Sequence, residues 1–477
     1  MEDLKKLILC EEVMLKKFLN IFDISFLSDN SKIALAYSGG IDSSVLLDLA
    51  FTLFCNYKIQ FYVFHINHGL SSFSDKWLIH CKKTCEIYKK IIFHSFKIDL
   101  FSYKKNIEEN ARIKRYHALK ELCQKYNIKY LLTGHNQDDQ AETVLLKLLR
   151  GSGISGVSGI YAINNKLSLL NNSNIVLIRP LLYCSRHEII HYAKLHSLSY
   201  LQDESNNNIR YTRNILRLYV MPLLKKLFPG FQKRFSQFAY HAQSAEKLLT
   251  LLAEKDLKVC LKEKSLDIRM IKKFDSDRVK NLLRYWLNKY NKKKPSAIWL
   301  NKLYNQILEN NHHKKISIMH AQYHIKSYRN QLFCLIKEKV SKNINKNVNQ
   351  LFIWNNESKI IFSNFNGILY FYPVTGGEIG INVLWLRKQL LLIKSKTGKE
   401  RLKLTKNSYN KNIKNYYREM SIPPWNRFNL PIIYVQKINN TIFNFDNILY
   451  AAGIGINYVY QTNKGERIRL HWIDLDT

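Results

Sequence analysis

Short apolar runs alternate with helical segments through the first third of the chain, and this alternation restricts the possible folds most strongly. The run 33–37 is bounded by polar and glycine-rich sequence, and the helical segment 44–54 follows it. The later pairs are 59–64 with 74–90, 91–98 with 107–126, and 130–133 with 138–150. Strands that alternate with helices form a parallel sheet with helices on both faces. The pattern therefore predicts an α/β domain whose ligands bind beyond the carboxyl ends of the strands.

The 477-residue chain is too long for one domain. Pro222, Pro229 and Gly230 interrupt it, which predicts a first boundary near residue 222. Residues 223–340 contain amphipathic segments rich in Lys and Arg and predict a basic helical domain. Residues 341–356 are rich in Asn and predict a linker. Residues 357–477 carry short strand-like runs and predict a small mixed α/β domain.

Positive charge is distributed unevenly along the chain. The formal net charge is +37, yet residues 1–150 hold 22 basic and 17 acidic residues, a net of only +5. Residues 221–350 hold 28 basic residues against 9 acidic ones. Such a surplus predicts a polyanionic partner, and nucleic acid is the first candidate. The alternative is a solvated basic surface without a partner.

The eight cysteines are scattered and form no CxxC pair, which predicts free thiols rather than disulfides or a zinc site. No apolar run approaches the roughly 20 residues of a membrane span, and the first residues do not resemble a secretion signal. These features predict a cytoplasmic protein with no membrane partner.

Residues 38–43, with the sequence Ser-Gly-Gly-Ile-Asp-Ser, lie between the first predicted strand and its helix. Two adjacent glycines let the backbone approach a ligand closely, and the free N–H groups of a helix start bind anions. The GxxxxGK[ST] pattern of a Walker A loop is absent. The segment therefore predicts a phosphate site of another kind. The alternative is a glycine turn in which Asp42 caps the helix.

Carboxylates follow the fourth predicted strand. Asp138 and Glu142 are four residues apart and share a helix face, and His135 lies just before them. Two carboxylates could hold Mg²⁺ while a nucleotide supplies further oxygens. The alternative is that both simply complement the helix dipole.

Cationic and imidazole side chains follow the other strands. Arg112, Arg115 and Tyr116 share a helix face, where a cation could meet a phosphate, although a solvated basic face is the alternative. His65 and His68 lie near the end of the second strand, where core or capping roles are the alternative.

Residues 38–43 resemble the pyrophosphatase loop of the N-type ATP pyrophosphatase (PP-loop) superfamily. Further motifs are similar to those of the tRNA(Ile)-lysidine synthase family. These motifs are 65–70, 109–116, 133–143, 149–153, 179–181, 203–206 and 213–217, with a tail motif at 422–425 and the nearby Arg427 and Pro431. The resemblance is dense over 30–222 and sparse in the tail, and 231–350 matches only in length and basic helical character.

The resemblance implies a Rossmann-like catalytic domain over 1–222 and tRNA-binding domains over 223–340 and 357–477. It also implies roles for individual residues. The implied ATP contacts are Ser38, Gly39, Gly40, Ile41, Asp42, Ser43, His65, Asn67, Arg112 and His135. The implied catalytic residues are Asp42, Arg112, Asp138 and Glu142, with Mg²⁺ on Asp42 and Asp138. Arg213 and Arg217 are implied to contact tRNA.

The implied reaction converts the wobble cytidine of CAU-anticodon tRNA(Ile) to lysidine, with ATP, L-lysine and tRNA as substrates. ATP adenylates O2 of the cytosine, and the lysine amine then attacks C2 and expels AMP. Asp138 and Glu142 are expected to bind the metal or the lysine ammonium. A homodimer and a monomer both stay open.

Two other functions stay open at this point. A PP-loop tRNA thiolation enzyme shares the loop, but its chemistry needs paired cysteines, and only Cys81 and Cys85 lie close together in the sequence. A non-enzymatic RNA-binding protein would share the basic character, although the carboxylates Asp42, Asp138 and Glu142 argue against it.

Overall fold

The computed structural model describes residues 2–23, 27–67, 74–98, 107–165, 174–201, 212–290, 295–309, 315–336, 349–427, 430–437 and 444–475. The sequence motifs at 68–70 and 203–206 and the linker portion 341–348 lie outside these residues. The chain forms two compact units, Met1–Lys255 and Asp256–Thr477. No helix in the described part of the chain is long and apolar enough to cross a membrane.

The first unit is built on a six-stranded sheet in the order β3-β2-β1-β4-β6-β5. All pairs are parallel except β5 with β6. The strands are β1 Lys32–Ala36, β2 Gln60–Asn67, β3 Ile91–Lys97, β4 Tyr130–Thr133, β5 Ile163–Asn164 and β6 Val176–Ile178. The predicted parallel sheet is therefore confirmed.

Helices cover both faces of this sheet. They are α1 Glu2–Leu19, α2 Ile41–Phe54, α3 Ser74–Ile87, α4 Ile107–Lys125, α5 Gln137–Leu149, α6 Ile154–Val157 and α7 Arg186–Leu195. Ile33 and Leu35 of β1 lie in the core beneath α2, whereas Ala34 lies in the core beneath α4. Successive side chains of a strand point to opposite faces, so a strand buried on both sides is apolar throughout.

The first unit ends in a helical stretch made of α8 Thr212–Ile215, a π-helical segment Leu216–Val220 and α9 Met221–Leu227, followed by α10 Phe231–Cys260. Pro222 lies within the first turn of α9, where proline is tolerated. The sequence placed a boundary near 222, whereas the compact units divide at 255/256. Most of α10 therefore belongs to the first unit. Gln243 Nε2 of this helix donates to the carbonyl oxygens of Ser158 and Ile160, 2.7 and 3.1 Å away.

The second unit begins with an antiparallel sheet of order β7-β8-β11-β10-β9 packed with helices. Its elements are β7 Leu261–Lys262, β8 Ser265–Asp267, α11 Ile268–Ile271, α12 Ser276–Tyr290, α13 Ala297–Leu308, β9 Ser317–His320, β10 Tyr323–Tyr328 and β11 Gln331–Ile336. The sequence predicted only helices here, so the sheet is a correction. Tyr323 and Ile325 are buried while His324 and Lys326 are less so, which is the alternation of a half-buried strand.

The rest of the second unit contains two larger sheets, β12-β16-β19-β20-β21 and β13-β14-β22-β15, and the hairpin β17-β18. The elements are β12 Asn349–Phe352, β13 Lys359–Phe362, β14 Gly367–Val374, β15 Ile381–Asn382, α14 Val383–Leu386, β16 Leu391–Lys394, β17 Arg401–Leu402, β18 Lys411–Asn412, α15 Ile413–Glu419, β19 Ile432–Lys437, β20 Asn444–Ala451, β21 Gly455–Ile456 and β22 Arg467–Asp474. The linker predicted over 341–356 is wrong from 349 onward, because β12 pairs with β16 and Trp354 is buried in the core.

Candidate active site

The loop 38–43 connects β1 to α2 at the carboxyl edge of the parallel sheet. The side chains of Ser38 and Ser43 lie 3.1 Å apart through their hydroxyl oxygens, and Ser43 Oγ donates to the carbonyl oxygen of Gly40 at 2.8 Å. Gly40 is the N-cap of α2 and has no side chain to satisfy the first N–H groups. Ile41 is buried and anchors the first turn. The loop therefore leaves backbone donors at a helix start, as a phosphate site requires.

Gly39 is required by both its conformation and its surroundings. Its φ is +80°, and a Cβ atom there would lie 2.6 Å from Trp77 Nε1 and 2.8 Å from Cys81 Sγ. Trp77 Nε1 donates to the carbonyl oxygen of Ser38 at 2.5 Å, so the indole is fixed beneath the loop. The loop thus has its shape because α3 packs directly against it.

We expect Gly39→Ala to destabilise the first unit more than Gly151→Ala does. Gly151 also has a positive φ, +65°, but a Cβ atom added there would meet nothing within 4 Å. The control variant therefore carries only the cost of the left-handed backbone, about 1–2 kcal/mol, and Gly39→Ala adds the clash with Trp77. Urea unfolding midpoints of the two variants measure the difference; equal midpoints would show that Trp77 moves away without cost.

Asp42 lies at the start of α2 and is contacted from two other elements. Asn136 Nδ2 donates to Asp42 Oδ1 at 2.9 Å, and Arg186 Nη1 of α7 forms an ion pair with the same oxygen at 2.5 Å. A Cβ atom on Gly134 would lie 3.1 Å from the backbone of Asp42, so the segment after β4 touches the loop directly. The motifs 38–43 and 133–143, which are far apart in the sequence, therefore lie side by side at this edge of the sheet.

Two of the contacts with Asp42, those of Asn136 and Arg186, were not predicted from the sequence. Asn136 is the N-cap of α5 and forms a capping box with Asp139, a signature that the spacing of the two residues contains. Arg186 comes from the first turn of α7, far along the chain, and no local signal marks it. Both residues hold Asp42 in a defined position.

Asp138 and Glu142 lie on one face of α5 but have different surroundings. The Asp138 carboxylate makes no hydrogen bond or ion pair with a described residue, whereas both Glu142 oxygens accept from arginines. Burial, Glu142 and Asp139 together raise the pKa of Asp138 above its usual value. Asp138 is therefore the carboxylate of the pair that remains open to a ligand.

Glu142 belongs to an ion-pair cluster with Asp139, Arg213 and Arg217. Glu142 is 1% exposed; Arg213 Nε donates to it at 2.8 Å and Arg217 Nε at 2.7 Å. Asp139 accepts from the same guanidinium groups at 3.0 and 3.3 Å. The family resemblance implied that Glu142 binds a metal or lysine and that the two arginines contact tRNA. It implied no role for Asp139. In the structure all four side chains lie together and form ion pairs with one another.

The donor set at the loop is compatible with Mg²⁺ but does not form a complete protein site. Both contacts of Asp42 end on Oδ1, which leaves Oδ2 without a partner among the described residues. Asp138 is similarly open. No group of three or more potential ligands from His, Cys, Asp and Glu occurs in the described ranges. Mg²⁺ commonly binds through one or two carboxylates together with substrate phosphates, and these residues fit that mode.

His65 and Asn67 end β2, and both are buried. His65 Nδ1 lies 3.0 Å from the carbonyl oxygen of Tyr37, which can only accept, so Nδ1 carries the proton. Burial lowers the pKa of His65. The imidazole is therefore neutral near pH 7 and has Nε2 as an acceptor.

His135 lies close to a group of cations. Its Nδ1 is 3.1 Å from Thr133 Oγ1, and burial together with Arg179 holds its pKa well below the usual value. The charges of Arg115 and Arg112 act in the same direction. The three arginines therefore lie near the segment that contacts Asp42.

The same arginines surround Tyr116, which is 1% exposed. Arg112 and Arg115 lie over its ring, 5.4 and 5.5 Å from the centroid. Burial acts to raise the pKa of Tyr116, but Arg115, Arg112 and Arg179 together outweigh it and lower that pKa. Arg179 is buried, and its Nε has no hydrogen-bond partner among the described residues. A buried cation with an unused donor favours an anionic ligand.

Cys81 and Cys85 lie on α3 and are both buried. Burial raises the pKa of each thiol to about 12. Thiolates are the reactive and metal-binding form of cysteine, so neither residue has the character that thiolation chemistry needs. The seven cysteines with described side chains are free, as predicted.

Three protein-family models match successive parts of the chain. The PP-loop domain family matches residues 10–224, the TilS substrate binding domain matches 266–333, and the TilS substrate C-terminal domain matches 391–472. A crystal structure of a TILS C-terminal domain is similar at 16% identity and a TM-score of 0.21, over 27% of this chain and 100% of that one.

Two relatives are similar over nearly their whole length. The tRNA(Ile)-lysidine synthase of Nitrosomonas europaea is 30% identical over 91% of this chain and 90% of its own. That of Buchnera aphidicola is 32% identical over 92% of this chain and 95% of its own. With the loop, the carboxylates and the three matching domains, these similarities place the chain in the tRNA(Ile)-lysidine synthase family of PP-loop ligases.

Proposed function

We propose that this protein joins L-lysine to C2 of the wobble cytidine of CAU-anticodon tRNA(Ile), with release of AMP and diphosphate in the cytoplasm. Three features that lie together at one edge of the sheet support this proposal. These are the uncapped start of α2, the open carboxylates of Asp42 and Asp138, and the arginines near His135. An ATP-dependent reaction needs donors for phosphates, ligands for a cation and positive charge near the α-phosphate.

In this proposal the loop and the residues next to it bind ATP. The backbone of Gly39, Gly40 and Ile41, with the hydroxyls of Ser38 and Ser43, holds the outgoing diphosphate. Arg112, with Arg115 and Arg179 beside it, neutralises charge that develops on the α-phosphate. His65, Asn67 and His135 shape the nucleotide pocket, and both imidazoles are uncharged because burial lowers their pKa values.

Asp42 and Asp138 are the residues that would hold Mg²⁺. When bound, the ion would neutralise triphosphate charge during displacement of diphosphate. Asp42 is held for this role by Asn136 and Arg186.

Each of the two chemical steps exchanges one group. Cytosine O2 attacks the α-phosphorus and diphosphate leaves; the lysine side-chain amine then attacks C2, loses a proton and expels AMP. Asp138 is the candidate proton acceptor in the second step, when no ion is bound to it, because its carboxylate is open and burial raises its pKa. Glu142 acts indirectly in this proposal, by holding Arg213 and Arg217 in place.

The basic second unit and the arginines at 213 and 217 are proposed to hold the tRNA phosphates, and a homodimer is proposed as the assembled form. Phosphate contacts position an RNA but do not read its sequence. The cytidine itself would be splayed from the anticodon loop into the catalytic pocket, as single-stranded bases usually are.

The proposal is tested by incubating the full chain with ATP, labelled lysine and two tRNA(Ile) transcripts that differ only in the wobble base of the anticodon. We expect label in the CAU transcript, with AMP and diphosphate formed in equal amounts. Label in neither transcript, or in both equally, would contradict the proposed reaction. Transfer of sulfur instead of lysine, in a parallel reaction to which sulfide is added as the sulfur donor, would support the thiolation alternative.

A further inference from the structure

A cavity of about 690 Å³ lies between α1, α7 and α10 within the first unit. Its volume is in the range of ligand pockets, roughly 300–1,000 Å³. Gln137 and Ser185 contribute to its wall. Each directly precedes a residue of the candidate active site, Asp138 and Arg186, and consecutive Cα atoms are about 3.8 Å apart. We name this space the α7–α10 cavity; it lies next to the proposed reaction centre but is lined by other residues.

The charge of the cavity favours an anion, because Lys233 remains after Lys17 and Glu188 neutralise each other. Lys17 and Lys233 line it, and Glu188 is its one acidic wall residue among those described. Glu188 is already engaged: Lys17 Nζ lies 2.5 Å from one oxygen, and the Ser185 N–H and hydroxyl donate to the other at 2.8 and 2.9 Å. Burial acts to raise the pKa of Glu188, but Lys17 and Ser185 lower it, so the carboxylate stays ionised and satisfied. An ammonium ligand would find no free carboxylate here.

The remaining wall suits an aromatic ring with polar edges. Tyr183 and Tyr240 both line the cavity, and burial together with the neighbouring Tyr240 raises the pKa of Tyr183. Ser236 also lines it and is only 6% exposed, yet its hydroxyl has no hydrogen-bond partner in the part of the chain that the structure describes. A buried, unpartnered hydroxyl in a cavity wall indicates a polar group that a ligand supplies. Lys233, Ser236 and Tyr240 recur at helical spacing on α10 and so share one face.

We propose that the α7–α10 cavity binds one nucleotide of the tRNA anticodon loop next to the reacting cytidine, with its base against Tyr240 and its phosphate on Lys233. This inference rests on the proposed function, because it takes the tRNA as substrate. Stacking on an aromatic side chain is how proteins commonly hold single-stranded bases, and lysine supplies the phosphate contact. By binding the nucleotide next to the cytidine, the cavity fixes how far the cytidine reaches into the active site.

The test uses the full chain with Tyr240→Ala and Lys233→Gln, and an RNA stem-loop that carries the CAU anticodon. We expect Tyr240→Ala to raise the Kd for the stem-loop about tenfold. Lys233→Gln is expected to raise it several-fold and to reduce its dependence on salt. The Michaelis constants for ATP and lysine should not change. Phe238→Ala and Lys247→Gln are the matched controls, because both residues lie on α10 outside the cavity wall and should leave the Kd unchanged.

A second stem-loop lacks the base beside the cytidine. If Tyr240 stacks on that base, Tyr240→Ala will raise the Kd for this stem-loop far less than it raises the Kd for the complete stem-loop. An unchanged Kd in both cavity variants would overturn the inference, and so would a raised Michaelis constant for lysine alone, which would assign the cavity to the amino acid. If the wild-type chain binds the stem-loop through Tyr240 but transfers no lysine, the proposed reaction fails and the cavity assignment stands.

Discussion

Asp42→Asn is expected to lower kcat/KM for ATP-dependent lysine transfer by about 10²–10³-fold, the usual cost of removing one group that stabilises transition-state charge. The substitution keeps the size of the side chain and an oxygen that can still accept from Asn136 and Arg186, which contact Asp42 Oδ1. It removes the negative charge that a cation bound to the triphosphate requires. The measurement is the initial rate of labelled lysine incorporation into tRNA at several ATP concentrations.

Asp75→Asn is the control for this change. Asp75 lies in the first turn of α3, and its side chain is exposed. We expect the control to retain wild-type activity, and both variants to unfold at the wild-type urea concentration within error. An Asp42→Asn protein with more than half the wild-type rate would remove Asp42 from the catalytic site. A loss of activity that accompanies a large loss of stability would instead indicate a structural role.

The loop and the sheet could be predicted from the sequence because their signals are local. An apolar run of five residues followed by two glycines specifies a buried strand and a tight turn, and the structure has β1 and Gly39 with φ +80° at those positions. The sheet at 261–336 was missed because its strands are short and lie among Lys- and Arg-rich helical segments. The alternation of Tyr323 and Ile325 with His324 and Lys326 in β10 is itself a strand pattern.

The partners of Glu142 and Asp42 also could not be predicted from local sequence patterns. A spacing of four residues places Asp138 and Glu142 on one face of α5, but it does not say what packs against that face. The arginines that engage Glu142 come from more than 70 positions later in the sequence, and Arg186, which contacts Asp42, is 144 residues away. Motif spacing therefore predicted that Asp138 and Glu142 share a face, while tertiary contacts distinguish the open carboxylate of Asp138 from the paired one of Glu142.

Glu142→Gln is expected to destabilise the first unit by about 2–4 kcal/mol, because removing one partner of a buried ion pair leaves the other charge uncompensated. Glu142 is 1% exposed, and Arg213 and Arg217 both donate to it. Their partial exposure, 25% and 41% of each side chain, reduces the cost below that of a fully buried cluster. Urea unfolding followed by circular dichroism measures the change.

Glu121→Gln provides the comparison, since Glu121 forms an exposed pair with His117 on α4. We expect that variant to stay within about 0.5 kcal/mol of wild type, as surface substitutions usually do. Combining Glu142→Leu with Asp139→Asn, Arg213→Leu and Arg217→Leu should recover part of the stability lost in Glu142→Gln, because uncharged groups can replace a complete ionic cluster at little cost. If Glu142→Gln unfolds like wild type but no longer transfers lysine, then Glu142 contacts a substrate or the metal after all, and the arginines must release it during the reaction.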